Sequence, residues 1–364
     1  MTSYLFVMWA GGGNVNPFLG LAGHLLARGH RIGAVAPDSL TGRLGPTGIE
    51  PVRAPDGWLA GAADVAAGVE AFAPDVLVVD YMLTGALCGA ERAGLPTVAL
   101  VHTLYRALLR DGAPDPIGVG GPVAAVNEVR ASIGLAPIAV HADLLDAADL
   151  VLVTAPRQLD APGDVPANVV YAGAFFEGPG PDQGWLPPPG DGPLVVISLG
   201  TAGDPDREAE ALGTVLDAVA SLPVRVLLNL PDYLDADRLG LPTNVTVSGY
   251  VRHAAVLPHA DLLVTHGGLG SVVAALAEGV PMVVLPLDRD QPANARAVAR
   301  IGGGTALPPD AGAEAVAAAI TDRLGAGRGV RLEPEPGPAV DLLETFFRDP
   351  DGNGRTARPT GPRP

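Results

Sequence analysis

The sequence predicts an α/β protein with two doubly wound parallel sheets, each in a domain of its own. Short runs of Val, Leu and Ile alternate with Ala-rich segments of helical length along almost the whole chain. Strands that are apolar throughout, with helices between them, are typical of parallel sheets covered on both faces. The pattern occurs twice in 364 residues, a length that accommodates two domains.

The strand-like runs fall into two groups on either side of residues 177–193, a segment dense in Pro and Gly that is typical of an interdomain linker. We therefore predict a first domain over 1–176 and a second over 194–337. The predicted strands, in order, are YLFVMW (4–9), RIGAVA (31–36), DVLVVD (75–80), TVALV (97–101), DLVLVT (149–154), LVVISL (194–199), VRVLLN (224–229), DLLVTH (261–266) and MVVLPL (282–287).

The end of the chain has a different character. PAVDLLETFF (338–347) is predicted to form a last helix that packs back toward the first domain. Residues 348–364 carry almost no apolar side chains, and we expect them to be a disordered tail.

Composition narrows the possible partners and the location. The formal net charge is −17 and every basic residue is arginine, so the chain would be repelled by nucleic acid and by anionic membranes. No apolar run approaches the ~20 residues of a membrane helix, and the first residues look like a buried strand rather than a signal peptide. The single cysteine, Cys88, suits a reducing compartment. We expect a cytoplasmic protein, either a monomer or a homodimer.

A glycine-rich turn predicts an anion site in the second domain. His266 ends a predicted strand, and Gly267, Gly268 and Gly270 lead into a helix with Ser271 in its first turn. The start of a helix presents unpaired N–H groups and a partial positive charge, and glycine lets an anion approach that backbone closely. A phosphate or diphosphate is the indicated guest. The spacing matches neither the Rossmann nor the P-loop fingerprint, so a tight turn without a ligand is the alternative.

Two further loops lie on the same predicted sheet edge. Asp290 and Gln291 follow the next strand, and an acid with an amide can bind several hydroxyl groups, as a sugar requires. Gly200 and Thr201 follow another strand of the same domain. A diphosphate site beside a site for several hydroxyl groups indicates that the ligand is a nucleotide sugar.

These residues carry a family resemblance. HGGLGS…GVP…P…DQ…NA (266–295) resembles the donor signature of the family 1 inverting glycosyltransferases of the GT-B fold, above all the bacterial enzymes that glycosylate antibiotics and other secondary metabolites. The similarity continues in NVNPFLGLAGHLLARGH (14–30), PDVLVVD…AGLPTV (74–98) and VSGYVRHAAVLPHADLLVTHGG (247–268). It implies two Rossmann-like domains that face each other across a cleft, an NDP-sugar co-substrate linked to dTDP or UDP, and neither a cofactor nor a metal.

The resemblance also implies roles for individual residues. The turn at 266–271 would neutralise the departing diphosphate, Asp290 and Gln291 would hold the sugar, and residues 250–251 would contact the nucleobase. The implied donor-binding residues are Gly200, Thr201, Tyr250, Val251, His266, Gly267, Gly268, Gly270, Ser271, Asp290 and Gln291. The DRD at 288–290 imitates a metal-binding Asp-x-Asp, but it overlaps the sugar-binding pair, so no metal is expected.

The chain departs from the family at the general base. Asn14 stands where the family has a histidine, and an amide cannot accept a proton near neutral pH. His102 and Asp80, each at the end of a predicted strand, are candidates for a relocated base and its partner, since a family Asp from this region orients the histidine. Alternatively the acceptor needs little deprotonation, or the chain is catalytically idle. His102 would then only satisfy backbone groups at the strand end.

A milder departure concerns the ribose. The family often has an acid inside the helix that follows the glycine turn, where this chain has Ala274, and Glu278 lies one turn further on. A dTDP-linked donor, which lacks the ribose 2′-hydroxyl, would tolerate this best.

The acceptor site is the least determined part. Loops around 57–71 and 105–126 would build it, and an apolar polycyclic or macrocyclic acceptor is favoured. Candidate walls, each with a core residue as the alternative, are Trp9, Trp58, Leu104 and Tyr105.

Three functions are compatible with these features. The leading hypothesis is a metal-independent inverting transferase that moves a sugar, preferably a deoxysugar, from dTDP or UDP to a small natural product. The main rival is a non-catalytic GT-B protein that binds a nucleotide or glycone and assists a partner enzyme. A nucleotide-sugar epimerase would need several acids in the cleft, and Asn14 supplies none.

Overall fold

The computed structural model describes residues 1–57, 59–110, 121–175, 186–200, 204–230, 233–236, 239–249, 251–332 and 337–348. Trp58, Thr201 and Tyr250, most of the predicted linker and the predicted tail after residue 348 lie outside these ranges. The predicted domain boundaries and the predicted disorder of the tail therefore stay predictions.

The first sheet has seven parallel strands in the order β3-β2-β1-β4-β5-β6-β7. Its strands are β1 (Ser3–Val7), β2 (Arg31–Val35), β3 (Glu50–Arg53), β4 (Val76–Asp80), β5 (Thr97–Val101), β6 (Leu150–Val153) and β7 (Val169–Tyr171). The helices of this half are α1 (Val15–Ala27), α2 (Thr41–Leu44), α3 (Ala62–Phe72), α4 (Thr84–Ala93), α5 (Val123–Ser132) and α6 (Asp143–Asp146), with a π-helical turn at Tyr105–Arg110.

The second sheet has six parallel strands in the order β10-β9-β8-β11-β12-β13. Its strands are β8 (Leu194–Ser198), β9 (Arg225–Asn229), β10 (Val245–Ser248), β11 (Leu262–Thr265), β12 (Met282–Val284) and β13 (Gly304–Ala306). Its helices are α7 (Pro205–Ala220), α8 (His253–Val256), α9 (Leu269–Glu278), α10 (Gln291–Arg300) and α11 (Ala313–Ala326), and α12 (Gly337–Arg348) ends the described chain.

Both sheets have the doubly wound Rossmann order, which confirms the predicted α/β class. β4, β5, β8 and β11 are buried along their whole length, as the unbroken apolar runs predict. The winding direction reverses between β1 and β4 in the first sheet and between β8 and β11 in the second. Ligands of open α/β sheets bind outside the carboxyl ends of the strands at such reversal points.

The helix α12 packs on the first domain. Val340 and Leu343 are fully buried in the same core as Phe18 and Leu25 of α1. Glu344 lies 2.7 Å from Nε2 of the buried His30, just after α1. Among the described helices, none combines the length and apolar character needed to cross a bilayer.

One helix of the second domain contacts the first domain with its C-terminal end. Arg300, the last residue of α10, donates to the carbonyl oxygens of Gln158, Leu159 and Asp160 over 3.2, 2.9 and 2.7 Å. The Asp160 carboxylate in turn accepts the N–H groups of Arg106, at 2.9 Å, and of Ala107, at 3.2 Å, in the π-helical turn that follows β5.

Candidate active site

The reversal point of the first sheet brings Asn14 and Asp80 together. Asn14 is 4% exposed at the start of α1, and its Nδ2 donates to Oδ2 of Asp80, at 3.0 Å, and to the carbonyl of Trp9, at 2.9 Å. Its Oδ1 accepts the N–H of Gly11 at 3.0 Å. The amide is therefore fixed by three contacts, and it orients the Asp80 carboxylate rather than accepting a proton from a substrate.

Asp80 also contacts the ring of His102. The carboxylate is fully buried at the end of β4, and both of its oxygens lie 3.2 Å from Nε2 of His102, just after β5. Because an ionised carboxylate only accepts hydrogen bonds, Nε2 carries the proton and Nδ1 of a neutral ring is the proton acceptor. The side chain of His102 keeps 12% of its surface exposed.

Electrostatics suit this pair to proton transfer. Burial lowers the pKa of His102, but the Asp80 carboxylate opposes that effect and the net result is a raised pKa. Tyr81 packs edge-on against the imidazole with ring centroids 4.8 Å apart. Burial, with Asp290 and Asp80 adding to it, raises the pKa of Tyr81 far above its usual range, so the phenol stays neutral. A carboxylate–imidazole pair of this kind can act as a general base.

Across the cleft, Asp290 faces the first domain directly. Its Oδ2 accepts the hydroxyl of Thr103, the residue after His102, at 3.2 Å. Nδ2 of Asn294 donates to the same oxygen at 3.0 Å and to the carbonyl of Gly267 at 2.9 Å. The carboxylate predicted to hold the sugar is thus placed beside the His102 pair and is tied to the glycine turn.

Gln291 has a structural role that the sequence did not indicate. Its Oε1 accepts the N–H groups of Leu287, at 2.7 Å, and Asp288, at 3.0 Å, and its Nε2 donates to Oδ1 of Asp288 at 2.9 Å. These bonds close the loop that presents Asp290. They leave one amide N–H for a sugar hydroxyl, and the role of Gln291 in sugar binding stays a prediction.

The glycine turn lies at the reversal point of the second sheet. Gly267 has φ of +88°, and a Cβ added there would come within 2.7 Å of Val284, so only glycine fits. A Cβ on Gly268 would lie 2.5 Å from Nε2 of His266, and one on Gly200 would lie 3.1 Å from it. The imidazole of His266 is therefore enclosed between the two loops expected to hold a diphosphate.

His266 does not supply the positive charge expected of it near neutral pH. Its pKa is lowered to about 4, chiefly by desolvation and to a smaller extent by His253 and Arg289, against a backbone hydrogen bond with Ser198 that raises it. His253, which is also half-buried, has its pKa lowered to about 4 by desolvation, and its Nε2 lies 3.3 Å from the Ser198 hydroxyl. Near neutral pH both rings are uncharged. The positive potential of the glycine turn comes from the start of α9 instead.

The remaining donor residues surround this turn. Gly270 is exposed and Ser271 is buried, both in the first turn of α9. Val251 is half-buried, and its carbonyl accepts Nδ2 of Asn229 at 3.1 Å. Glu278 is the last residue of α9, one turn or roughly 6 Å along the helix axis beyond Ala274, the position of the missing ribose acid, and further from the glycine turn.

Two of the predicted acceptor walls are wrong in this structure. Leu104 and Tyr105 are 0% exposed and belong to the hydrophobic core of the first domain, at the start of the π-helical turn Tyr105–Arg110. Trp9 is half-buried with its ring packed over Gly11, so its assignment stays a prediction, and Trp58 lies outside the described residues.

An apolar crevice of about 250 Å³ opens beside Asp80 instead. Its lining residues are Leu59, Ala60, Gly61, Met82, Leu83, Thr84, Gly85, Ala125, Val126 and Val129. The sequence predicted that the loops around 57–71 and 105–126 contribute to the acceptor site. It did not predict a contribution from residues 82–85, because that segment has the pattern of an ordinary helix start. The backbone N–H of Met82 donates to Oδ1 of Asp80 at 2.9 Å, which joins the crevice to the carboxylate partner of the candidate base.

Within the residues that the structure describes, no group of three or more His, Cys, Asp or Glu side chains is arranged to hold a metal ion. The expected absence of a metal stays a prediction.

Comparison with known proteins gives the same assignment as this geometry. Residues 213–330 match the family model of the erythromycin biosynthesis protein CIII-like C-terminal domain. Demethyllactenocin mycarosyltransferase from Streptomyces fradiae is 29% identical, over 94% of this chain and 86% of that protein. The crystal structure of the kitacinnamycin glycosyltransferase superposes with a TM-score of 0.74 at 26% identity, over 94% of this chain and 98% of that one.

This chain has the GT-B fold of these glycosyltransferases. Its sheets are the two Rossmann-like domains of that fold. The spinosyn rhamnosyltransferase SpnG, solved in complex with thymidine diphosphate, superposes with a TM-score of 0.66 at 21% identity. The superposition covers 95% of this chain and 100% of SpnG. At that identity the likeness shows the fold alone.

Proposed function

We propose that this glycosyltransferase transfers a deoxysugar from a dTDP-sugar, with a UDP-sugar as the less favoured donor, to an apolar small-molecule acceptor with inversion at the anomeric carbon. His102 is the general base and Asp80 its partner. Asn14 keeps the Asp80 carboxylate in place.

The observation that carries this proposal is the hydrogen bond between Thr103 and Asp290. It joins the residue next to the candidate base, in one domain, to the carboxylate expected to hold the sugar, in the other. A sugar bound to Asp290 would therefore lie within reach of an acceptor activated by His102. A protein that only bound a nucleotide would not need the candidate base and the sugar-binding carboxylate to lie side by side.

The chemistry follows from the arrangement of charges. Nδ1 of His102 takes the proton of the acceptor hydroxyl, and the acceptor oxygen attacks the anomeric carbon from the face opposite the nucleotide. The bond from that carbon to the diphosphate oxygen breaks, and the electron pair leaves with the diphosphate. The start of α9 stabilises the growing negative charge, and Asp80 stabilises the imidazolium.

The donor preference depends on which side chains of α9 can bind the ribose hydroxyls. Ala274 supplies no carboxylate and Glu278 lies one turn further from the glycine turn, so a 2′-hydroxyl would have a weaker partner on α9 than the family's acid provides. The relatives named above for mycarosyl and rhamnosyl transfer, and the thymidine diphosphate bound to SpnG, support a dTDP-linked deoxysugar.

The acceptor preference rests on the crevice beside Asp80. Its lining is mostly apolar and its volume of about 250 Å³ is below the ~300–1,000 Å³ of a pocket that encloses a drug-sized ligand. A larger polycyclic or macrocyclic acceptor would insert one edge there and extend over Trp9.

The test is a screen of dTDP- and UDP-sugars against macrolide and polycyclic aglycones, read by mass spectrometry, with the anomeric configuration of any product fixed by NMR. We expect a β-linked product from an α-linked donor, and tighter binding of TDP than of UDP. Retention of configuration would contradict the mechanism.

The second candidate function is a non-catalytic partner of another transferase, and Asn14 in the place of the family base favours it. Under that function TDP would bind, yet no acceptor would be modified and the donor would not be hydrolysed. Transfer activity that is lost in His102→Gln would exclude it.

A further inference from the structure

The predicted diphosphate site has little positive charge of its own. His266 is neutral near pH 7, since its pKa is lowered to about 4 by burial. The side chains nearby include the carboxylates of Asp204, Glu208, Asp288 and Asp290. A diphosphate that entered this site would meet backbone N–H groups and a rim of like charge.

Arg289 is the one cationic side chain in the three sequence segments that form the site, namely Gly200, 265–271 and 288–291. It is exposed, and within the described chain it forms no hydrogen bond and no ion pair. Its backbone has φ of +52°, the left-handed region that non-glycine residues seldom occupy. An arginine in that conformation without a protein partner is a candidate for binding a ligand.

The residues on both sides of Arg289 are fixed. Asp288 exchanges two hydrogen bonds with the side chain of Gln291, and Asp290 is held by Thr103 and Asn294. The position of Arg289 between them is therefore set by the fold.

The same loop is joined to the glycine turn. The carbonyl of Gln291 lies 3.5 Å from the point where a Cβ on Gly267 would stand, and Asn294 donates to the Gly267 carbonyl at 2.9 Å. The guanidinium is close enough to His266 to lower the pKa of that ring and close enough to Glu208 to act against the burial that raises the pKa of that acid. It thus lies near the strand ends of β8 and β11, where Gly200 and His266 meet.

We propose that Arg289 binds the diphosphate of the donor and stabilises its charge as the sugar–oxygen bond breaks. This role rests on the proposed function, because it places the diphosphate at the glycine turn. It gives the site the positive charge that His266 lacks, and it accounts for a strained arginine that forms no ion pair within the described residues.

The test compares four variants with the wild type by titration calorimetry with TDP and with thymidine. Arg289→Ala removes the guanidinium and keeps the backbone strain. Arg289→Gly removes both, and Arg289→Lys keeps the charge. Arg296→Ala, an exposed arginine of α10, is the control that changes net charge equally. A charge-assisted hydrogen bond predicts TDP binding at least 10-fold weaker in Arg289→Ala and Arg289→Gly, and recovered to within about threefold in Arg289→Lys.

The controls make the outcome decisive. Thymidine affinity should be unchanged in all variants, and Arg296→Ala should bind TDP within twofold of wild type. TDP affinity that stays within twofold in Arg289→Ala overturns the inference alone. Wild-type affinity in Arg289→Gly also overturns it, since backbone conformation would then be what matters. A wild-type protein that binds no TDP overturns the inference and the proposed donor together.

Discussion

The amide of Asn14 donates to the carboxylate of Asp80 across 3.0 Å, and the same carboxylate contacts Nε2 of His102 at 3.2 Å. Asp80 therefore has two side-chain partners, one on the loop after β1 and one after β5. A histidine at position 14 would compete with His102 for this carboxylate. The asparagine keeps the carboxylate oriented and leaves proton transfer to the ring on the neighbouring strand.

His102→Gln should abolish most of the transfer activity. General-base catalysis contributes about 10²–10⁴-fold, and glutamine cannot accept the proton. We expect kcat to fall in that range while TDP affinity stays unchanged, as measured by steady-state assay and calorimetry. His24→Gln, at an exposed ring on α1, is the control and should be indistinguishable from wild type. A fall of less than threefold in His102→Gln would remove His102 from the mechanism.

Asp80→Asn should move the acidic limb of the pH–rate profile to lower pH. The base works when it is neutral. The Asp80 carboxylate raises the pKa of His102 against the effect of burial, so wild-type activity is lost as the pH falls through that raised pKa. Without the carboxylate the imidazolium is less stable and the pKa falls, so the limb shifts toward acid while the plateau rate drops. A limb that keeps its position in Asp80→Asn would mean that another group controls it.

Asn14→His should restore activity in the His102→Gln background. The new ring would start 3.0 Å from the Asp80 carboxylate that Asn14 contacts, so it could form the family's own pair. We expect kcat to be at least about 10-fold higher than in His102→Gln. The gain should stay well below the full general-base contribution, because the residues around position 14 are not adapted to a histidine. Adding Asp80→Asn to the double variant should erase the gain in activity. A gain that persists in this triple variant would mean that the new ring acts without Asp80.

Binding of TDP should take up a proton at His266. The ring of the free protein is neutral near pH 7 because its pKa is lowered to about 4, and a nearby diphosphate would raise that pKa. The complex then binds more protons than the free protein, so affinity rises as pH falls toward 5. Calorimetry in two buffers of different ionisation enthalpy measures the uptake. His266→Asn should reduce it to the contribution of the nucleotide phosphate itself, and an uptake unchanged by that substitution would exclude the imidazole.

The fold and the donor turn could be predicted from the sequence because their signals are local. Unbroken apolar strands, glycines that admit no side chain and a helix start each depend on neighbours along the chain. The position of Gly267 against Val284 and the two Rossmann strand orders agree with those local signals.

The contacts that decide the chemistry are not local. The Thr103–Asp290 bond joins residues 187 positions apart, and no pattern in either segment indicates it. Gln291 turns inward because two backbone N–H groups at 287 and 288 need an acceptor, which becomes evident only once the loop is folded. Leu104 and Tyr105 belong to the core and not to an acceptor wall, because their side chains pack against residues that are distant in the sequence and that no local pattern identifies.

The position of α12 has a consequence for how the protein is made. Val340 and Leu343 fill the same core as Phe18 and Leu25, so the first lobe contains segments more than 300 residues apart in the sequence. A chain emerging from the ribosome folds its early domains first where it can, yet here the core of the early lobe stays incomplete until α12 has been synthesised. Stop codons shortly before α12 would spare every donor residue and still expose the hydrophobic surface of the opposite lobe.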